Sequence, residues 1–274
     1  MGNMRASRLP LLTQCVGSAV LPNESDDDKS ENARRAAEWG KMVHFWKQTG
    51  NIIGTGRHPA MLVTAIQRAG VDRETLWPDG QHEIAVAVRV DGTREVRSNE
   101  SHEYETVPGW ITGTADFLGR IYDNELWLDD LKTGREYPNP GPQDARRHDP
   151  TLDVGANRFP QDAGSAQLRF YALAVAALAG YRGVVHVSVT HWPYLPVDRR
   201  HVAPARLWVS YTWEEVEKFW GELELLEASR AFLAASATSD TWDETVDLLT
   251  VAGEQCKFCP SRVFCAKSIH KELT

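Results

Sequence analysis

Residues Trp110–Gly134 read WITGTADFLGRIYDNELWLDDLKTG. Trp110–Ile121 has the composition of a β-strand, Asp123-Asn124 is a turn signal, Glu125–Lys132 is a return strand, and Gly134 ends it. Side chains alternate across a strand, so Asp130 and Lys132 project to one face and Leu131 to the other. Asp116 lies on the partner strand of the hairpin and converges on them. Two carboxylates and an ammonium on one face suit a hard cation together with an anionic substrate. Taken alone, Asp-x-Lys is equally the signature of a solvent-facing ion pair. The flanks favour the chemical reading: the residues before Asp116 are Gly113-Thr-Ala, and Lys132-Thr-Gly134 stops the strand at the site.

Working outward, Ser7–Leu21 reads as a short helix or turn carrying Cys15, followed by an acidic stretch at Glu24–Asp28. A helix is expected from near Ser30 to Gln48, and a second over Pro59–Ala69, with proline in its permitted first turn. His82–Val90 alternates apolar and polar residues. Asp91-Gly92 is a hairpin signal, with Thr93–Ser98 as the return strand. After the Trp110–Lys132 hairpin, residues 135–160 form a long Pro-, Gly- and charge-rich loop of the kind that is commonly functional. An Ala-rich helix over Gln161–Gly180 follows, then strands at Gly183–Trp192 and Ala205–Tyr211. Thr212 caps a long helix over Trp213–Ala235, whose acidic first turn suits the helix dipole. Helices, a run of antiparallel strands, a helix, more strands and a helix make a mixed α/β fold. The order does not alternate as a doubly wound sheet would.

Composition agrees with a globular chain. Of 274 residues, 42% are hydrophobic and 25% charged. The apolar run Tyr171–Tyr181 is too short to span a bilayer. Residues near the N-terminus fit neither a signal peptide nor a myristoylation motif. A soluble cytoplasmic protein, not associated with a membrane, is expected. The net charge of −8 argues mildly against a nucleic-acid partner, although a local groove can still be basic.

Gly-x-x-Asp116, then Asp130-Leu-Lys132-Thr-Gly, then Gln167-Leu-Arg-Phe-Tyr171, resembles the RecB-like branch of the PD-(D/E)XK nucleases. Gln167 and Tyr171 are i, i+4 and share one helix face. The resemblance implies a restriction-endonuclease-like core, in which a mostly antiparallel mixed sheet is flanked by helices. It also implies that Asp116, Asp130 and Lys132 form the metal and water site, and that Gln167 and Tyr171 border the substrate. A metal-binding histidine on an early helix is implied as well. Gly40-Lys-Met-Val-His44 matches that pattern, with the Leu131 carbonyl as an extra ligand. The cation would be Mg²⁺ or Mn²⁺. The activity implied is exonucleolytic hydrolysis of DNA, acting on single-stranded ends 5′ to 3′, in recombination, repair or CRISPR-type end processing. A phage-encoded member would act in the host cytoplasm.

Three of the four cysteines form Cys256-x₂-Cys259-x₅-Cys265, and Cys15 is the fourth. Four thiolates suit zinc or an iron–sulfur cluster. Zinc sites usually draw ligands as two close pairs, whereas this split is one plus three. The split is similar to the 4Fe–4S staple of AddB-like and CRISPR-associated RecB-type nucleases. The resemblance therefore implies that segments 1–24 and 250–274 are joined by a 4Fe–4S cluster around a nuclease core over 30–240, in one domain over 1–274. Two other classes stay open: a nuclease subunit active only with a recombination or spacer-acquisition partner, and a non-catalytic iron–sulfur DNA-binding module.

Gly54-Thr-Gly56 lacks the third glycine of a dinucleotide fingerprint, and neither a nucleophile elbow nor a phosphate-binding loop is present. Trp39, Trp46, Trp110, Trp127 and Trp220 fit core positions. Glu38 has Lys41 as a candidate ion-pair partner. Arg146, Arg147, Arg158, Arg199, Arg200, Lys257, Arg262, Lys267 and Lys271 are candidate phosphate contacts that read equally as surface charge.

Overall fold

The computed structural model describes residues 4–19, 31–53, 57–98, 109–121, 124–133, 147–148, 165–192 and 204–236, together with Thr250, Cys256, Cys259 and Cys265. In chain order these form β1 (Met4–Arg5), α1 (Leu9–Leu12), α2 (Glu31–Thr49), α3 (Arg57–Ala69), α4 (Arg73–Leu76), β2 (Gly80–Arg89), β3 (Val96–Ser98), β4 (Trp110–Ile121) and β5 (Glu125–Lys132). They continue as β6 (Arg147–His148), α5 (Ser165–Leu178), β7 (Val185–His191), β8 (Ala205–Tyr211) and α6 (Trp213–Ser236).

The hairpin of β4 and β5 has the expected bounds, with Asn124 in the left-handed region at φ 73°. Thr212 caps α6 in a reciprocal box: its hydroxyl accepts from Glu215 N at 3.3 Å, and Thr212 N donates to Glu215 Oε2 at 2.7 Å. Elements of two to four residues (β1, α4 and β6) carry too little periodicity to be read from sequence. The return strand after Asp91-Gly92 is shorter than expected, spanning Val96–Ser98.

The strands make one sheet in the order β3-β2-β4-β5-β7-β8-β6, with β1 beside β4. All pairings are antiparallel except β5–β7 and β1–β4. This is the mixed, mostly antiparallel sheet with flanking helices that was expected. One face packs on α5 and α6 through Val86, Val88, Leu126, Leu128, Val187, Leu173 and Phe219. The other face packs on α2 and α3 through Trp39, Trp46, Trp77, Trp127, Leu62 and Trp192. Trp39, Trp46, Trp127 and Trp220 are buried as expected, but Trp110 is only half-buried. It stands at the start of β4 with the Arg89 and Arg97 guanidinium groups over its ring.

Two features of the sheet make room for a site. First, β4 and β5 pair only from Phe117↔Asp129 to Ile121↔Glu125, while β5 stays paired with β7 as far as Lys132. The two strands therefore part at Asp116 and Asp130. Second, β2 and β4 switch faces at the same level. Ala115 packs in the α5 layer and Phe117 in the α2 layer, although residues two apart in a regular strand share a face. The register His82↔Phe117 and Ile84↔Ala115 sets Glu83 opposite Asp116, and Glu83 has a φ of 56°. A non-glycine residue in that region breaks strand alternation. No helix among the described residues is long and apolar enough to cross a membrane.

Candidate active site

The side chains converge where β4 and β5 part. Lys132 Nζ lies 2.7 Å from Asp130 Oδ2. Asp116 Oδ2 accepts a hydrogen bond from Leu131 N at 2.7 Å, taking the place of the lost ladder bond between the strands. The same oxygen lies 3.7 Å from His44 Nδ1 and 3.8 Å from Lys47 Nζ. His44 and Lys47 are three apart on α2 and so share a face. Gly40, one turn before His44, lets α2 approach the end of β5. A methyl group there would stand 2.7 Å from Thr133 Oγ1.

Asp129, next to Asp130, faces the opposite layer and is fully buried. Its carboxylate accepts from Trp77 Nε1 at 2.5 Å, Ser188 Oγ at 2.5 Å and Thr190 Oγ1 at 2.9 Å, and lies 3.5 Å from Arg206 Nε. This network anchors β5 from behind. In front, Gln167 on α5 accepts from Lys132 Nζ at 3.5 Å and donates to Tyr171 OH at 3.2 Å. Tyr171 is 3% exposed and packs where Gly113 leaves space, so it meets the site through Gln167.

The electrostatics follow from burial and from these neighbours. Burial pushes Glu83 up to about 7, and the Asp116 charge adds to this. Burial likewise raises Asp130 to about 6, although Lys132 opposes it. Burial would raise Asp116 too, but Lys47, His44, Lys132 and the Leu131 N–H together hold its carboxyl below the usual range. Burial lowers His44 against the opposing pull of Asp116, so its ring is neutral at pH 7 and offers a lone pair. The Leu131 carbonyl faces that ring as a hydrogen-bond acceptor.

His44, Glu83 and Asp116 place one ligand atom each within 4.8 Å of one another, the only such His/Cys/Asp/Glu group among the described residues. Two carboxylates and an imidazole suit Mg²⁺ or Mn²⁺, so the donor set fits a divalent cation.

Of the residues singled out in the sequence, His44, Asp116, Asp130, Leu131, Lys132, Gln167 and Tyr171 are brought to this junction. Glu38 is exposed and its carboxylate lies 3.6 Å from His58 Nδ1. Cys15, Cys256, Cys259 and Cys265 are half-buried, and no disulfide joins them. Cys259 N donates to Cys256 O at 3.3 Å. The long loop 135–160 lies outside the described residues except for Arg147 and His148, as do Arg199, Arg200, Lys257, Arg262, Lys267 and Lys271.

Sequence reasoning missed Glu83 and Lys47. Alternation puts Glu83 on the face away from Ile84, Val86 and Val88, the face that α2 covers, but it does not show that Asp116 stands opposite it or that its φ is 56°. The spacing His44-x-x-Lys47 was a visible signal for Lys47.

The family model of the PD-(D/E)XK nuclease superfamily matches residues 6–266. No curated protein matches. The solved structure described as "Crystal structure of SSO0001" is similar with 11% sequence identity, covers 97% of this chain and 87% of that chain, and has a TM-score of 0.37.

Proposed function

The chain belongs to the PD-(D/E)XK nuclease superfamily, a family of metal-dependent nucleases, and from that premise we propose that it is a DNA exonuclease acting on single-stranded ends. The observation that carries the active-site assignment is the junction of Asp116, Asp130, Lys132 and His44 where β4 and β5 part. In this reading His44, Glu83, Asp116, Asp130 and the Leu131 carbonyl hold Mg²⁺ or Mn²⁺. When bound, such a cation lowers the pKa of its water and neutralises phosphate charge.

The protein's own groups do the rest. Lys132, held against Asp130, points its ammonium at the attacking water and at the charge that develops on phosphorus. Gln167 fixes Lys132 from the α5 side, and Tyr171 fixes Gln167. Asp129 and its donors keep β5 rigid, so that Asp130 does not move when it ionises. The 5′ to 3′ polarity and a role in recombination, repair or CRISPR-type end processing are part of the proposal through the RecB-like motif order.

The cysteines are proposed to hold a 4Fe–4S cluster. Their one-plus-three spacing supports this, and so does the contact of Gly17, two residues past Cys15, with Thr250, six residues before Cys256. That contact brings the segment after Cys15 to the segment leading into the cysteine run. Cys256→Ser should bleach the brown absorbance and lower the Tm; a colourless wild-type protein prepared without oxygen would refute the cluster.

Digestion of end-labelled single- and double-stranded DNA with Mg²⁺ or Mn²⁺ tests the activity. Laddering from one end of single strands is expected, and it should be lost in Asp130→Asn. Internal cuts only, or full activity in Asp130→Asn, would overturn the reading.

A further inference from the structure

We propose that Lys47 stands in for a second metal ion and makes this a one-cation site. The inference rests on the assignment of His44, Glu83, Asp116 and Asp130 as the metal site. The Lys47 side chain is 1% exposed, and its Nζ lies 3.8 Å from Asp116 Oδ2. The ammonium sits 5.1 Å from the centre of the Trp77 ring. It donates no hydrogen bond to any described residue. An ammonium buried without an acceptor is costly, and only strong negative charge nearby offsets that cost. Here the offset is electrostatic: Lys47 acts on Asp116, Glu83 and Asp130 together.

The charge count gives the direction. With Asp116, Glu83 and Asp130 ionised, the site carries three negative charges, and Lys47 and Lys132 return two positive ones. One divalent cation takes the sum from −1 to +1, which a single phosphodiester neutralises. A second cation would take it to +3, with no carboxylate left to balance it. Two-metal sites join their ions through shared ligands. Asp116 is the central carboxylate here, and its α2 side is already taken by a fixed positive charge. A lysine in that place stabilises phosphate charge without needing a second metal equivalent.

Mn²⁺ titration of the full chain, read by the electron paramagnetic resonance of free Mn²⁺ and by calorimetry, tests this. Asp116→Asn supplies the baseline for sites elsewhere. One Asp116-dependent equivalent is expected in the wild type. Lys47→Met removes the charge but keeps the length. It should tighten that equivalent at least ~10-fold or admit a second, while circular dichroism confirms the fold. Lys47→Arg should keep one equivalent at near wild-type affinity. Two equivalents in the wild type would overturn the proposal, and that count decides even where Lys47→Met does not fold. A folded Lys47→Met with one equivalent at wild-type affinity would overturn it as well. No Asp116-dependent equivalent at all would instead refute the metal-site assignment, and this proposal with it.

Discussion

Cation binding should depend on pH in a way set by the two raised carboxyl groups. Glu83 titrates near 7 and Asp130 near 6, both because burial disfavours their charged forms. A metal ligand must be ionised, so each proton still held must leave when the cation enters. Both pKa values lie above the ordinary carboxyl range. The penalty is therefore absent above about pH 8 and grows as pH falls through each value. Treating the two groups as independent, the apparent affinity falls roughly 20-fold between pH 8 and pH 6. Proton release rises over the same interval from ~0.1 to ~1.4 per ion bound. Calorimetric Mn²⁺ titration in two buffers of different ionisation enthalpy measures both quantities. Glu83→Gln removes the larger contribution and should flatten the affinity change to roughly 2-fold. An affinity that holds constant from pH 8 to pH 6, or proton release that does not rise, would refute the placement of Glu83 and Asp130 among the ligands.

Three other perturbations separate the parts of the site. Lys132→Met should cut the cleavage rate by ~100-fold or more while leaving the fold intact, checked by single-turnover digestion beside circular dichroism. Asp129→Ala would strand the Arg206 charge and three buried donors, so chemical denaturation should show a loss of ~3–5 kcal/mol. Gly40→Ala places a methyl group 2.7 Å from Thr133 Oγ1, so either the Thr133 side chain turns or α2 shifts from the end of β5. A shift of α2 would cost ~1–3 kcal/mol in thermal unfolding and weaken Mn²⁺ binding as His44 withdraws; unchanged stability and binding would show that Thr133 turns instead.

The hairpin Trp110–Lys132 was legible because its strands are long, its turn is marked by Asp123-Asn124, and Gly134 follows its end. The pairing of Asp130 with Lys132 needed only strand alternation, and the structure has it at 2.7 Å. His44 was singled out by the Gly40-x-x-x-His44 pattern that the family resemblance supplies, and Gly40 is where α2 comes up to Thr133. Glu83 was not legible, since alternation marks it only as a polar residue on the face away from Ile84, Val86 and Val88, and nothing local sets it beside Asp116. A positive φ at a glutamate leaves no mark in composition. The anchoring role of Asp129 was hidden for a related reason. Its donors Trp77, Ser188, Thr190 and Arg206 come from distant parts of the chain, and no local pattern announces such a network. Residue type alone assigns Trp110 to the core, but at the start of β4 it meets arginines instead of a second layer.

The back-to-back placement of Asp129 and Asp130 also bears on how this chain can change length. The two acidic neighbours serve opposite layers, one tied into Trp77, Ser188, Thr190 and Arg206, the other held against Lys132. A one-residue insertion or deletion between the turn and Asp129 would exchange them across the sheet. Asp129 would then stand at the site, and Asp130 and Lys132 together would be sealed among the tryptophans. Insertions at the turn itself leave the register intact. Length variation in this hairpin is thus confined to its tip, and within the strand only changes of even number keep each carboxylate on its own face.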